Sequence, residues 1–474
     1  MTSLPITPEQ IAALPPEFQA ILRVVIDHYE QRCATLEARI AELEARLKQS
    51  PQNSSLPPSI AHPHARPKHP KSASKRKRGG QPGHKKHQRV LISAEQCQAI
   101  VECRPAACRR CDHRLQGSDH APLRHQVWEL PVIEPDVVEY RLHRLACPQC
   151  GVTTCGTLPP GVPRGQSGAR LTAFVGLLLG HFRQSKRRAA FFVQDLLGMP
   201  CCAATTVSMQ KGVSAALAQP YDELKGQLGN EPQLNMDETP TKQANAKAWL
   251  WAAVAPMFAV FAIFANRKGE ALPKLLGDEF AGVINCDRAK MYWQAEHLQW
   301  CWAHLKRDFQ ALIDHPDRQV QRLGHDLMRS VKAMFGHWKR YKQGEIDWPT
   351  FQATMQPIRQ TIDSLLLRGK YSGNPRLRGM CHELWTHREW LWTFIEVQGI
   401  EPTNNVAERA LRPAVIYRKL SFGTQSEAGS RFVERILTTC ETCRLQGRSI
   451  FGYLSDAVAA HFAHQPAPSL LTRA

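Results

Sequence analysis

The stretch AWLWAAVAPMFAVFAIFA, residues 248–265, runs eighteen positions without a charge, and its reading decides the fold. As one helix it reaches about the lower length limit for crossing a bilayer. Pro256 stands near its middle, and the second half is rich in aromatic and β-branched residues. Two buried strands turning at Ala255-Pro256 explain that composition better than a helix does. The segment therefore predicts a sheet inside a protein that does not cross a membrane. The polar start MTSLPITPEQ carries no apolar signal segment, which predicts a reducing, cytoplasmic setting for the fifteen cysteines.

Outward from this hairpin the pattern continues as strands and acids. Upstream, PQLNMDETP predicts a short strand ending at Asp237. Downstream, a helix over 269–277 precedes AGVINCDRAKMYW, which predicts a strand ending at Asp287. CWAHLKRDF at 301–309 then opens about ninety helical residues. Their stripe of Leu323, Leu327, Val331, Met334 and Trp338 predicts a packed face, and Trp348, Trp385, Trp390 and Trp392 are expected in the core. TNNVAERALR at 403–412 begins another helix, and RFVERILTT and FGYLSDAV predict two more.

Three strands, a helix and a strand, with acids on the first and last strands, describe an RNase H-like α/β core. There the acids converge on two magnesium ions. Magnesium is hard and selects carboxylate oxygens. Two such ions about 4 Å apart can activate an attacking oxygen and stabilise a leaving one in phosphoryl transfer. Taken singly, either Asp237 or Asp287 reads better as a turn former at a strand end. Glu408 also has two readings. Asn405-Val-Ala-Glu408 has the spacing of a capping box, or the carboxylate holds a metal ion.

The N-terminal part carries the charge. The net charge is +19, and between Arg46 and Ser93 there are twelve Lys or Arg and no acid. Such a field suits a polyanion, nucleic acid above all. Before it, Leu22, Ile26, Tyr29, Cys33, Leu36, Ile40, Leu43 and Leu47 form a heptad seam. Arg32 and Arg39 fall at g and Glu37 and Glu44 at e, which predicts a parallel homodimer. A Pro- and Ser-rich linker follows, then KRKRGGQPGHKKHQR at 75–89, where Arg76, Lys77, Arg78, Lys85 and Lys86 are expected to contact DNA. Cys108-x-x-Cys111 and Cys147-x-x-Cys150 make two knuckles suited to one structural zinc, with Cys103 and Cys155 as substitutes. Between them, VWELPVIEPDVVEYRLHRL reads as strands broken by Pro131 and Pro135, while Cys440 and Cys443 belong to a helix. Residues 169–216 predict helices, either a helix-turn-helix reader or a plain helical hairpin.

Several motifs together resemble the transposases of the insertion sequence 66 family, nearly from end to end. They are NSSLPPS at 53–59, KRGGQPGHKKHQR at 77–89, the two knuckles, MDETP at 236–240, CDRAKMYWQ at 286–294, CWAHLKRDF at 301–309 and NNVAERALRP at 404–413. The resemblance implies a DDE transposase, with Asp237, Asp287 and Glu408 as the catalytic, magnesium-binding triad. Thr403 stands where the family often has an aspartate, and CDRAK lacks the glycine that often follows the second aspartate. The implied chemistry is cleavage at the element's ends and joining of the freed 3′-hydroxyl to target duplex DNA. Arg409, Arg412, Arg418 and Lys419 are expected either to grip phosphates or to be surface charge, with Arg412 paired to Glu408 one turn away.

The expected organisation is multidomain α+β. A coiled-coil helix covers 1–50, a basic linker 51–92, a zinc-binding module 93–160 and a helical, possible DNA-binding region 161–230. The RNase H-like core occupies 231–310 and 401–425 around a helical insertion at 311–400, with a helical region at 426–474. Expected partners are double-stranded DNA, further copies of the chain and accessory proteins of the same element, in a cytoplasmic, nucleoid-associated setting. Two rival readings are a non-catalytic DNA-binding regulator and an RNase H-like nuclease that cuts without joining.

Overall fold

The computed structural model describes residues 8–47, 49, 53 and 89–471. The chain divides into two units, Pro63–Asp136 and a larger one formed by Met1–His62 with Val137–Ala474. Among its described residues, 89–136, the smaller unit has a 3-10 turn at Ala94–Gln96 and no helix or strand. Gln126 bridges both backbone groups of Ile92 there, and Arg89 lies over the ring of Trp128.

The larger unit begins with α1 (Pro8–Ala12) and the 32-residue α2 (Pro16–Leu47). Tyr29, Leu36, Ile40 and Leu43 of the heptad seam stay exposed on α2. A two-stranded antiparallel ribbon follows, β1 (Arg144–Ala146) and β2 (Thr153–Cys155). Apart from β1, residues 127–145 form no strand, contrary to the expectation from their apolar content. Pro131 and Pro135 remove backbone donors, and Val127, Val132, Val137 and Val138 remain exposed with no neighbouring strand to pack on.

Four helices come next: α3 (Ala169–Gly180), α4 (Lys186–Leu197), α5 (Ala203–Ala216) and α6 (Ala218–Gln227). Gly176 lets α3 lie against Val213 of α5, because a Cβ there would come within 2.7 Å of that side chain. Gly198 ends α4 in the left-handed region, as helix C-termini favour.

The sheet is built from β3 (Gln233–Gln243), β4 (Ala246–Val254), β5 (Ala259–Phe264), β6 (Val283–Cys286) and β7 (His297–Trp300), with α7 (Ala271–Leu276) before β6. Its order is β5-β4-β3-β6-β7. The first three strands are antiparallel neighbours, while β6 runs parallel to β3 and β7 parallel to β6. This mixed sheet is consistent with an RNase H-like core. Ala244 and Asn245, both with positive φ, form the two-residue turn between β3 and β4. The 248–265 stretch is indeed two strands, turning through residues 255–258. β3 extends well past Asp237, so that residue is internal and not terminal. The four-residue β7 stands where the sequence pattern announces only the helix after it.

Helices complete the unit: α8 (Trp302–Ile313), α9 (Arg318–Lys342), α10 (Trp348–Lys370), α11 (Pro375–Thr386), α12 (Thr393–Glu396), α13 (Asn405–Ser421), α14 (Glu427–Leu445) and α15 (Ile450–Phe462). The α9 stripe from Leu323 to Trp338 is buried as expected, and Trp338 packs on Phe351 and Phe394. Cys440 and Cys443 are buried on α14. That helix also closes the outer edge of β5. Glu434, Thr438 and Thr442 accept the backbone N–H groups of Ile263, Phe261 and Ala259 at 2.6, 2.9 and 3.2 Å. Four residues of helix rise about 6 Å and two of strand about 6.8 Å, so the side chains keep step with the strand. An open edge that could recruit another strand is thereby satisfied. Among the described residues no helix is long and apolar enough to cross a membrane.

Candidate active site

Strand register brings two of the acids side by side. Asn235 of β3 pairs with Asn285 of β6 in parallel. Asp237, inside β3, and Asp287, just after β6, each lie two residues further on, where the β3–β6 pairing ends. Asp287 accepts the N–H of Ala289 at 2.8 Å, which fixes its carboxylate in a tight turn after β6.

Glu408 arrives from far along the chain, and the segment before it is stitched to the sheet. Asn285 donates to the carbonyls of Glu401 and Thr403 at 2.6 and 3.3 Å. Trp302 N–H donates to the carbonyl of Pro402 at 2.9 Å. Buried Asn404 donates its side-chain amide to the carbonyl of Met236 at 2.6 Å and its backbone N–H to Cys301 Sγ at 3.1 Å. The helix that follows starts beside Asp237.

The capping box does not form. Asn404 is the N-cap, one residue earlier than the spacing suggests, and its side chain is spent on Met236. Glu408 is then the fourth residue of α13, out of reach of the box geometry. Its Oε1 faces His304 Nε2 at 3.6 Å and Arg307 Nη2 at 3.9 Å. Among the described residues Arg412 forms no ion pair with it, and Arg409, Arg412 and Lys419 lie exposed. Arg418 donates to the carbonyl of Pro240, tying α13 to β3.

The acids repel one another. Burial pushes the Asp237 carboxyl well above the usual range, and Glu238, Asp287 and Glu408 push it further. Burial also raises Glu408, with Arg307 opposing and Asp287 adding to the rise. Glu238 is a fourth carboxylate, raised to about 7 by burial and by Asp287. It is held by Tyr292 Oη and by Arg267, each at 2.5 Å. Burial, with Arg307 and Arg288, lowers His304 to about 3, so it is a neutral imidazole. A group of carboxylates gathered this closely is short of positive charge. As hard oxygen donors they suit magnesium, and Asp237, Asp287 and Glu408 could hold it.

His304, Arg307, Arg288 and Asn404 are not acids and give no such signal, and Glu238 stands unmarked beside Asp237 in the MDETP motif. Arg288 bridges Asp308 of α8 at 2.7 Å and Glu383 of α11 at 2.8 Å, bracing the loop that carries Asp287. The signal for His304 and Arg307 lies in CWAHLKRDF, where a three-residue helical step places both on one face.

The two cysteine knuckles share a local fold. Cys108 N–H donates to the carbonyl of His113, and Asp112 N–H to that of Cys108, both at 2.9 Å. Cys147 N–H donates to Val152 at 2.9 Å, and Gly151 N–H to Cys147 at 2.8 Å. Asp112 and Gly151 both have positive φ. Backbone amides of Arg110 and Cys111 lower the Cys108 thiol, and those of Cys150 and Gln149 lower Cys147. Amides aimed at sulfur suit metal-bound thiolates. The first pair lies in the smaller unit and the second in the larger. Arg76, Lys77, Arg78, Lys85 and Lys86 lie outside the described residues.

Compared with known proteins, residues 164–431 match the family model described as "Transposase IS66 family". Residues 6–90 match a family of unknown function (DUF6444). A curated relative, "Uncharacterized protein y4qI" of Sinorhizobium fredii, is 25% identical over 250 residues, covering 46% of this chain and 44% of that protein. The chain thus spans less than half the length of that relative.

Proposed function

The chain belongs to the IS66 family of transposases, whose model covers residues 164–431, and from that premise we propose that Asp237, Asp287 and Glu408 form the catalytic site of a DDE transposase. The observation that carries the reading is the meeting of three acids from 237 to 408, set by the parallel β3–β6 register and by Asn404. The surrounding sheet is read as an RNase H-like core at 231–310 and 401–425, interrupted by the helical insertion at 311–400.

Magnesium, when bound by these carboxylates, supplies charge stabilisation for in-line phosphoryl transfer. The remaining work falls to the chain itself. Asp237 and Asp287 stay aligned through the strands, and Arg288 keeps the Asp287 loop braced against α8 and α11. Arg307 and neutral His304 hold Glu408 in place. In the first step water attacks a phosphodiester at an element end, leaving a 3′-hydroxyl and a 5′-phosphate. In the second, that hydroxyl attacks a target phosphodiester, forming the new bond and releasing a target 3′-hydroxyl. Arg409 and Arg412, exposed beside Glu408, contact DNA phosphates, with Lys419 further along α13.

The rest of the chain serves assembly and DNA capture. Residues 93–160 are read as a zinc module, 1–50 as a dimerising coiled coil, 51–92 as a basic arm, and 161–230 and 426–474 as helical layers. The test uses a duplex carrying the inverted repeats that flank the reading frame. Magnesium-dependent appearance of a 3′-hydroxyl at the repeat tip is expected. Binding without cleavage in magnesium or manganese would point to a regulator, and cleavage without joining to a nuclease.

A further inference from the structure

Away from the acids, the larger unit holds a groove of about 940 Å³ between the helices α4 and α5 on one side and the end of α13 and start of α14 on the other. Its lining includes Arg183, Lys186, Arg188, Lys211, Arg431 and Arg435, and no Asp or Glu. Three of these cations are anchored. Lys186 donates to Gln210, Arg435 to the carbonyl of Ser214 at 2.8 Å, and Arg431 pairs with Glu434 at 2.9 Å. Arg183, Arg188 and Lys211 form no ion pair among the described residues. Such a concentration of like charge is costly unless an anion enters it.

Two helix starts add to this field. Ser185 caps α4 and Ser426 caps α14, and both serines line the groove. Each cap satisfies one amide, and the remaining first-turn amides are donors of the kind that hold phosphate. The wall between them is preformed. Gly423 has φ +106, and a Cβ there would meet the carbonyl of Lys242 at 2.4 Å. Thr424 exchanges backbone hydrogen bonds with Lys242 and Ala244 at 2.9 Å. The groove is therefore fastened to the same strand that carries Asp237.

We propose that this groove binds the phosphodiester backbone of the duplex whose end occupies the acidic site. The proposal rests on the transposase reading and adds a DNA contact that the motifs do not mark. Helix α13 sets the spacing, with Glu408 near one end and groove residue Leu420 near the other. Twelve residues of helix span about 18 Å. At about 3.4 Å per nucleotide step the groove meets phosphates roughly five nucleotides from the reacting one.

The test measures binding of the full chain to a short labelled duplex as salt is varied. In one variant Arg183, Arg188 and Lys211 are all replaced by Gln. Every phosphate that the variant no longer neutralises lowers the log–log salt slope by about 0.9, so a fall of up to about 2.7 is expected. Restoring charge with Arg183→Lys and Arg188→Lys, Lys211 being kept, should recover the slope. Should the triple variant melt early, Lys211→Glu on the exposed face of α5 must lower affinity alone. Tight binding with an unchanged slope overturns the groove assignment and leaves the transposase reading intact. A wild-type chain that binds no duplex at any salt overturns both.

Discussion

Asn404 is 1% exposed and spends both its amide groups on other elements, one on Met236 of β3 and one on Cys301 before α8. A buried side chain so placed sets the origin of α13 and hence the position of Glu408, four residues on. Alanine at 404 would leave the Met236 carbonyl without its partner, at a cost of about 1–3 kcal/mol. Chemical denaturation of Asn404→Ala should show that loss. Joining of DNA ends should fall further than the folded fraction explains, because Glu408 loses its register. A variant that is destabilised yet joins normally per folded molecule would make Asn404 a purely structural residue. The residues themselves were unevenly legible. Asp237, Asp287 and Glu408 stand out by chemical type, whereas the sequence offers Asn405 as the cap and marks Asn404 with nothing. Only its hydrogen bond across 168 positions to Met236 reveals its task. His304 and Arg307 were hidden for the same reason, since their partner Glu408 lies about a hundred residues away in the sequence.

At the scale of elements, periodicity was readable wherever an element packs on its own chain. The β4–β5 hairpin, the buried α9 stripe and the helices around residues 169–216 follow their patterns because burial enforces them. It misled at 127–145, where apolar content is not matched by a strand partner, and at β7, which is too short to show a period. The knuckles are a local pattern of a different kind. Each turn, with amides pointed at Cys108 or at Cys147, suits a zinc-bound thiolate, and on the zinc proposal purified protein should carry about one zinc per chain. Cys108→Ser should lose that zinc while the sheet unit keeps its melting transition. Full zinc content in this variant would move the ligand elsewhere, to Cys103 first.

For the whole molecule, charge and topology divide the labour. The +19 balance is concentrated in the arm before residue 93 and in the groove beside α4, whereas the sheet gathers carboxylates at one end. In the proposed reading the cations would draw in and hold the polyanion, and the acids would give one place on it metal-dependent chemistry. Tyr29, Leu36, Ile40 and Leu43 of the heptad seam are exposed on α2, and the proposed pairing with a second copy there would present two such sites to two DNA ends. The most direct measurement of the central claim is joining of a pre-cut 3′-hydroxyl element end to a plasmid in magnesium. Wild-type protein is compared with Asp237→Asn, Asp287→Asn and Glu408→Gln. Each variant should bind the end as tightly as wild type and fold at least as well, since one repelling carboxylate is removed. Each should join it at least about a hundredfold more slowly, about 2.7 kcal/mol of barrier. A Glu408→Gln protein that joins ends at close to the wild-type rate would contradict the assignment of the acidic site.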